Sequence, residues 1–582
     1  MNRIAPNYES KSNSYNLRIF LLLCAILVFF GFIGLRLFSL QILNHTYYEA
    51  LADNQHGSQT TLSAKRGEIY LTPAMGSTTP VLVATNITKN LVYVNQKQIA
   101  SPDSVASKLA PLLEMAKADL VPKLKGDSVY AVLKKQLSDD VSQKITALKI
   151  PGVYLDPEQI RFYPQNDLAS QVLGFVGFKG DQRVGQYGIE GEYEKELAGT
   201  AGVEGADTDA SGHSITVAGR TIVPAHDGDN IFLTIDPAIQ FKAQEVLDKT
   251  VKDHGADSGS VIVLDPKTGA ILTMASSPGF DPNNYNKVSD ISVYTNQAIS
   301  AEYEPGSVFK GITMAAALDK GKVTPDTTFE NAGSIQVDDK TIKNASPTEF
   351  LGTQNMITVL DESLNTGAVY AQQQIGNDTF KDYVQKFGFG QPVDIGLPGQ
   401  FSGNLDNLKR KGDVFFATAS FGQGITVTPI QVAQAFTAIA NGGKLLKPYL
   451  VSKVVHSDGT EEDTKPSKGS QIISSQTAST LSAMLVDVVE NGHGKKASVP
   501  GYYIAGKTGT AQVAFTDKVG YDPNRNIGSF VGFGPVDDPK FLMLVRIDNP
   551  KDVKFAESTA APAFGEIASF ILNYLQVPPS RQ

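Results

Sequence analysis

Ser307 and Lys310 are the first residues in this 582-residue chain whose types and spacing could support covalent catalysis. The Pro305-Gly306 dipeptide before them is a turn that can begin a helix. Ser307 would then lie in the first helical turn, with Lys310 one turn later on the same face. A serine hydroxyl needs an adjacent base to act as a nucleophile. A lysine can be that base when burial and a second cation lower its pKa, and N–H groups at a helix start favour nearby negative charge.

Ser363 and Asn365 form a second candidate pair, two positions apart in the sequence Ser363-Leu364-Asn365. In a loop or a strand, alternate side chains point the same way, so both could face one cleft. A serine hydroxyl can relay a proton, and an asparagine amide can hold a substrate amide. The pair therefore fits a supporting role beside a nucleophile.

Lys507-Thr508-Gly509-Thr510 follows the strand-like sequence YYIAG and is the third candidate group. An edge strand at this position could pair with an extended peptide. The Lys507 ammonium and the threonine hydroxyls could hold a terminal carboxylate. The same K-T-G triplet occurs at Lys267–Gly269, but there it lies in the tip of a predicted hairpin and precedes Ser307, which excludes it.

Only the ordered combination of these three motifs is specific. A single S-x-x-K usually marks a polar helix face, and S-x-N alone carries almost no information. The order S-x-x-K, S-x-N, K-T-G-T is a catalytic signature of penicillin-binding proteins and serine β-lactamases. The set predicts acyl transfer through Ser307.

The sequence around these motifs predicts a mixed α/β fold. GSVIVLD and AILTMAS, from Gly259 and Ala270, predict two strands of a hairpin, and GSFVGFG and KFLMLVRID, from Gly528 and Lys540, predict two more. AFGEIASFILNYL, near the end of the chain, has the apolar period of a helix that could pack on the sheet. Helical patterns between the two strand pairs favour one antiparallel sheet flanked by helices.

The first 42 residues predict a membrane anchor. Residues 19–35 read IFLLLCAILVFFGFIGL, close to the roughly 20 apolar residues of a membrane-spanning helix. Basic residues precede this run, which predicts a cytoplasmic tail over 1–18, a signal anchor over 19–42 and an extracytoplasmic remainder. A cleaved signal peptide is the alternative, but no A-x-A-like site follows the run. Beyond the anchor we expect a middle region over 43–224 and a large last domain over 225–582, divided at a Gly- and Pro-containing charged stretch.

Composition excludes several other functions. The net charge is −9 without a basic run, which argues against nucleic-acid binding. Cys24 is the only cysteine, so the chain cannot form an internal disulfide, and neither C-x-x-C nor H-E-x-x-H occurs. We therefore expect no metal and no cofactor.

Along most of its length the sequence resembles a class B penicillin-binding protein, a monofunctional D,D-transpeptidase. The resemblance is carried by the three motifs above and by four further stretches: RGEIY from Arg66, RFYPQNDLASQVLGFVG from Arg161, GIE from Gly188, and SFGQGITVTPIQVAQAFTAIANGG from Ser420. It implies a pedestal domain of the penicillin-binding protein dimerisation type over 43–224. It also implies a β-lactamase-like transpeptidase domain over 225–582.

The resemblance also implies a role for each site residue. Ser307 would attack the D-Ala–D-Ala amide of a peptidoglycan stem peptide, with Lys310 as general base. Ser363, helped by Asn365, would pass the proton to the leaving amine. Lys507, Thr508, Gly509 and Thr510 would bind the substrate and its carboxylate. The backbone N–H groups of Ser307 and Thr510 would form the oxyanion hole, and β-lactams would acylate the same serine.

Within class B, EPGSVFK and GFGPVDDPKFLMLVRIDNPK resemble the septal, or cell-division, type more than the elongation type. This implies a single-pass protein of the bacterial inner membrane that works with a membrane-embedded glycan polymerase of the SEDS family and with other division proteins.

Three alternative functions share parts of this pattern. A D,D-carboxypeptidase or a β-lactamase would release the acyl group to water, although the long region before the last domain disfavours a simple β-lactamase. A β-lactam sensor would need more membrane segments and a cytoplasmic effector domain. A division scaffold with an idle site would not require the complete set of motif residues.

Overall fold

The computed structural model describes residues 57–75, 79–180, 182–207, 221–515, 518 and 520–581, and five helical positions between Leu23 and Ile33. Apart from those five positions, the predicted anchor at 19–42 lies outside the described residues, as does the predicted tail at 1–18. In the part of the chain that is described, no helix combines the length and apolarity needed to cross a bilayer.

The described chain contains both strands and helices. The strands are β1 (Gly57–Leu62), β2 (Ile69–Leu71), β3 (Val81–Val94), β4 (Ala131–Leu137), β5 (Val153–Phe162), β6 (Phe175–Lys179), β7 (Gln182–Gln186), β8 (Gly202–Asp207), β9 (Thr221–Val223), β10 (Asn230–Leu233), β11 (Ser258–Leu264), β12 (Ile271–Ser277), β13 (Thr328–Asn331), β14 (Ser334–Val337), β15 (Lys340–Lys343), β16 (Gly352–Asn355), β17 (Lys444–Leu445), β18 (Val451–Val455), β19 (Glu461–Asp463), β20 (Ser470–Gln471), β21 (Ala505–Ala514), β22 (Tyr521–Gly534) and β23 (Phe541–Asp548). The helices are α1 (Pro102–Leu113), α2 (Lys117–Lys123), α3 (Asp139–Ala147), α4 (Ser170–Leu173), α5 (Gly188–Glu192), α6 (Glu194–Ala198), α7 (Pro237–Asp253), α8 (Gln297–Ser300), α9 (Lys310–Asp319), α10 (Met356–Asp361), α11 (Asn365–Ile375), α12 (Asn377–Lys386), α13 (Asp413–Ala419), α14 (Pro429–Ala440), α15 (Ser475–Glu490) and α16 (Ala560–Tyr574).

The chain divides into two compact units. The smaller one joins residues 1–65 to 198–228, and its described part is a three-stranded antiparallel sheet in the order β1-β8-β9. The larger one joins residues 66–197 to 229–582 and contains all three predicted catalytic motifs.

A seven-stranded sheet joins early and late segments of the larger unit. Its order is β19-β18-β10-β2-β3-β4, and β5 pairs with β3. β10 runs parallel to β2 and antiparallel to β18, so a strand from the start of the predicted last domain lies between early and late strands. Helices α1 and α2 pack against the long strand β3 through a separate apolar cluster that includes Val92, Leu109 and Leu120.

The five-stranded sheet that carries the third motif is antiparallel throughout, in the order β12-β11-β23-β22-β21. One face packs against α7 and α16, where Phe530 contacts Phe564. The other face packs against α9, α14 and α15 in the main apolar core. Because both faces are covered, β11, β12 and β23 are buried almost throughout. The predicted mixed α/β fold with an antiparallel sheet, and the predicted last helix, are confirmed.

Glu190 is a fully buried carboxylate at the centre of the early part of the larger unit. Arg66 Nε donates to its Oε2 atom at 2.7 Å, and Arg161 Nε donates to its Oε1 atom at 2.6 Å. The Tyr163 hydroxyl also donates to Oε1, at 3.1 Å. Burial opposes the charge, but the two guanidinium groups outweigh it and lower the pKa of Glu190. Three separate sequence motifs therefore meet at one ion-paired group.

Replacing Glu190 with alanine should lower the free energy of unfolding by roughly 3–5 kcal/mol, because the buried Arg161 guanidinium would lose its counter-charge and Arg66 would keep only its ion pair with Glu194. The change can be measured by urea denaturation of the full chain followed by far-UV circular dichroism. The control is Asp140→Ala, which removes an exposed ion pair with Lys144. Equal losses in the two variants would contradict the structural role assigned to Glu190.

Candidate active site

Ser307 lies in a 3₁₀ turn, Gly306–Phe309, that leads directly into α9. The predicted helix start is therefore at the right place, although its first turn is 3₁₀ rather than α, as is common at helix N-termini. Gly306 has φ of 58°, a value that favours glycine, and its N–H donates to the Gly422 carbonyl at 3.0 Å. Ser307 is partly exposed, whereas Lys310 is only 1% exposed. The serine is thus accessible to solvent, whereas the lysine is buried.

Ser363 connects α10 to α11, and its hydroxyl lies between two ammonium groups. Lys310 Nζ donates to the Ser363 Oγ atom at 3.1 Å and to its carbonyl oxygen at 2.5 Å. Lys507 Nζ donates to the same Oγ atom at 3.2 Å. The structure therefore brings one member of each predicted motif into direct contact. Ser363 has φ of 54°, so it is held in the left-handed region rather than in a strand.

Asn365 is the first residue of α11 and its side chain contacts a neighbouring hairpin. Its Nδ2 atom donates to the Lys343 carbonyl, at the end of β15, at 2.8 Å. Ser363 and Asn365 therefore differ in their contacts, and neither lies on a strand. The role of Asn365 in holding a substrate amide remains a prediction.

The edge strand β21 carries Lys507 to Thr510 and lies against the Ser307 turn. A Cβ atom on Gly509 would lie 2.9 Å from Val308 Cγ1 and 3.0 Å from the Pro305 carbonyl oxygen. Only glycine permits so close an approach at this position. The Thr510 hydroxyl accepts a hydrogen bond from the Ala556 N–H at 3.1 Å. The predicted carboxylate-binding residues are thus beside the predicted nucleophile.

Burial changes the acid–base properties of both lysines. Lys507 is 0% exposed. Burial, together with the neighbouring Lys507 charge, lowers the pKa of Lys310 well below its ordinary value. Burial also lowers the pKa of Lys507, to about 8, although the Asp361 and Glu362 carboxylates favour its charge. A neutral Lys310 beside a charged Lys507 is the arrangement that a general base and a carboxylate-binding group require.

Sequence reasoning missed the acidic groups behind Lys507. Asp361 ends α10, is 8% exposed, and has one buried oxygen, Oδ1, without a hydrogen-bond partner. Burial and a hydrogen bond with Asp487 raise the pKa of Asp361 to about 8. Two carboxyl groups can share a hydrogen bond only when one holds a proton. No sequence signal distinguishes Asp361 from an ordinary helix-end aspartate, because its partner Asp487 comes from the distant helix α15.

Comparison with known proteins gives the same domain order. The family model of the penicillin-binding protein transpeptidase domain matches residues 259–569, and that of the penicillin-binding protein dimerisation domain matches 61–233. Stage V sporulation protein D of Bacillus subtilis is 34% identical over 571 residues, which cover 97% of this chain and 86% of that protein. The probable peptidoglycan D,D-transpeptidase PbpC of Pseudomonas aeruginosa is 31% identical over 549 residues, 94% of this chain and 93% of that one.

A solved structure supports the same relationship. The crystal structure of penicillin-binding protein 3 of Mycobacterium tuberculosis, complexed with aztreonam, superposes with a TM-score of 0.68 at 26% identity. The match covers 90% of this chain and 98% of that one. The fold and the three motifs thus define the class of serine acyl transferases whose nucleophile lies in an S-x-x-K motif. Within it, this chain belongs to the class B penicillin-binding proteins, as its sequence predicts.

Acylation by penicillin should decline at alkaline pH with an apparent pKa of about 8, because Lys507 loses its charge there. Asp361→Asn should move this decline to lower pH, since Asp361 loses its proton in the same pH range and the resulting carboxylate, which favours the Lys507 charge, cannot form in the variant. Stopped-flow acylation rates between pH 5 and pH 10 measure both effects. The matched control is Asp253→Asn at the end of α7, an exposed aspartate paired with Lys249. A profile of Asp361→Asn that overlaps the wild-type profile would contradict this electrostatic coupling.

Proposed function

We propose that this chain is a serine-type peptidoglycan D,D-transpeptidase that cross-links stem peptides through an acyl-enzyme on Ser307. The observation that carries the proposal is the Ser363 hydroxyl, which lies 3.1 Å from Lys310 Nζ and 3.2 Å from Lys507 Nζ. A hydroxyl in this position can carry a proton from the base toward the leaving nitrogen, while the neighbouring cation holds the substrate carboxylate.

In the first step the Ser307 oxygen attacks the carbonyl of the D-Ala–D-Ala amide, and Lys310 accepts the hydroxyl proton. The lowered pKa of Lys310 supports this role, because a base must be neutral to accept a proton. The Ser363 hydroxyl then passes its proton to the leaving nitrogen and regains one from protonated Lys310, the C–N bond breaks, and the terminal D-Ala departs. An amine of a neighbouring stem peptide attacks the resulting ester and gives a proton to Lys310. The ester C–O bond breaks, the amide cross-link forms, and the Ser307 oxygen takes up that proton.

The oxyanion hole would consist of the backbone N–H groups of Ser307 and Thr510. A Cβ atom on Gly306 would lie 3.2 Å from the Thr510 carbonyl oxygen, so the backbone of Thr510 lies beside the nucleophile turn. Loss of one oxyanion-hole donor typically raises the barrier by about 3–4 kcal/mol.

The terminal carboxylate of the substrate would bind to Lys507 with the hydroxyls of Thr508 and Thr510. Lys507 Nζ lies 3.5 Å from the Thr508 hydroxyl, which supports a shared binding site. Gly509 would leave the strand edge open to the peptide backbone, and Asn365 would hold a substrate amide. The β-lactam ring would open on the same serine.

We place the protein in the bacterial inner membrane, with the tail at 1–18 cytoplasmic, the anchor at 19–42 and the pedestal at 43–224. The transpeptidase domain at 225–582 would be extracytoplasmic. The resemblance of EPGSVFK to the septal type supports a role in cell division beside a SEDS-family glycan polymerase; elongation is the second candidate. Imaging of a fluorescent fusion separates the two, because a septal enzyme concentrates at the division site.

Incubation of the full chain with labelled penicillin, followed by peptide mass spectrometry, tests the proposal. We expect one adduct on Ser307, persistent over hours, and none in Ser307→Ala. Ser300→Ala is the matched control, because its hydroxyl bonds only to the Asn296 carbonyl and labelling should remain. Adducts at another residue would overturn the assignment of the nucleophile, and rapid release of the label would favour a β-lactamase or a carboxypeptidase.

A further inference from the structure

The Glu304 carboxylate, three residues before Ser307, joins three separate segments of the chain. The Gly424 N–H donates to its Oε1 atom at 3.0 Å. The Tyr521 hydroxyl lies 3.0 Å from both Oε1 and Oε2. Burial raises the pKa of Glu304, while these two hydrogen bonds favour its charged form. The mechanism above uses neither Glu304 nor Tyr521.

Two of these segments are in direct contact at the nucleophile turn. The Gly306 N–H donates to the Gly422 carbonyl at 3.0 Å, and a Cβ atom on Gly422 would lie 2.2 Å from the Gly306 carbonyl oxygen. The Gly422–Gly424 segment belongs to the stretch from Ser420 that resembles class B penicillin-binding proteins. The hydrogen bond from Gly424 to Glu304 therefore stabilises the backbone of the turn that carries Ser307.

The third segment is the hairpin end of the edge strand β21 and its neighbour β22. Tyr521 begins β22 and pairs with Ala514, the last residue of β21. The pairing is regular up to Gln512 with Asn526 and then jumps to Val513 with Asp522. A register jump interrupts the hydrogen-bond ladder. The Tyr521–Glu304 hydrogen bond therefore supplies an attachment where the ladder itself is weakened.

The donor peptide would run along this end of the strand. In the proposed complex its terminal carboxylate lies at Lys507 and Thr508, and its reacting carbonyl lies at the Thr510 N–H. Residues upstream of the reacting carbonyl must then continue toward Ala514, because an extended peptide follows the strand edge. Tyr521, on β22, pairs with Ala514 in the part of β21 that would meet the upstream stem peptide.

We propose that Glu304 and Tyr521 are positioning residues that hold the outer end of β21 against the nucleophile turn and so align the upstream part of the donor stem peptide. This inference rests on the proposed transpeptidase function and assigns the recognition of the stem beyond D-Ala–D-Ala to a defined part of the site. Neither residue takes part in bond making or breaking.

The test compares Tyr521→Phe with the wild type on two donors, a synthetic stem pentapeptide ending in D-Ala–D-Ala and the short N-acetyl-D-Ala–D-Ala. Release of D-Ala by the full chain, with glycine as acceptor amine, gives kcat and KM for each. We expect kcat/KM for the pentapeptide to fall about tenfold, the effect of one lost hydrogen bond to a charged group, and kcat/KM for the short donor to change less than about twofold. Glu304→Gln keeps one acceptor oxygen, so its kcat/KM for the pentapeptide should lie between those of the wild type and Tyr521→Phe.

The matched control is Tyr574→Phe, since the Tyr574 hydroxyl also donates to a carboxylate, that of Asp236, at 3.0 Å on the other face of the sheet. Its loss should lower thermal stability to a similar degree and leave both kcat/KM values unchanged. Equal losses on both donors in Tyr521→Phe, or no loss on either, would overturn the positioning role while leaving the proposed function intact. A wild-type chain that releases no D-Ala and takes up no penicillin would overturn both.

Discussion

The burial of two ammonium groups around one serine hydroxyl is the constraint on which the rest of this site depends. Lys310 and Lys507 are almost completely removed from solvent, and both donate to Ser363 Oγ. Two like charges in such a place repel each other, so one group tends to be neutral. The fold thereby creates a base at Lys310 and keeps the Lys507 cation two hydrogen bonds away, with Ser363 Oγ between them. The Asp361 and Glu362 carboxylates favour the charge of Lys507 in the interior.

Close approach of backbone segments allows the five-stranded sheet and α9 to enclose Lys310 and Lys507. Gly509 on β21, Gly306 before the nucleophile and Gly422 in the adjoining segment each lie where a Cβ atom would meet neighbouring atoms within about 3 Å. These glycines come from three distant parts of the chain. They bring the strand edge, the 3₁₀ turn and a loop together without a side chain between them.

Much of the fold was predictable because its signals are local. The hairpin from Gly259, the strands from Gly528 and Lys540, and the last helix all follow from short patterns of apolar residues and turns. The first hairpin was predicted from such patterns, but the burial of both faces of β11 and β12 was not, since helices from distant segments cover each side. Likewise, the S-x-N motif predicts two side chains on one face, but the left-handed conformation of Ser363 separates its contacts from those of Asn365.

The class of this protein can be recognised from the amino-acid sequence alone, because the three motifs, their order and the pedestal motifs are short linear patterns that do not depend on distances in space. The same patterns predict Ser307, Lys310, Ser363 and Lys507 as site residues. The contacts among these residues follow from the folded structure. It alone revealed the carboxyl pair at Asp361 and the Glu304–Tyr521 hydrogen bonds. The physical reason is that burial and electrostatic coupling depend on groups close in space and far apart along the chain, and linear spacing carries no record of them.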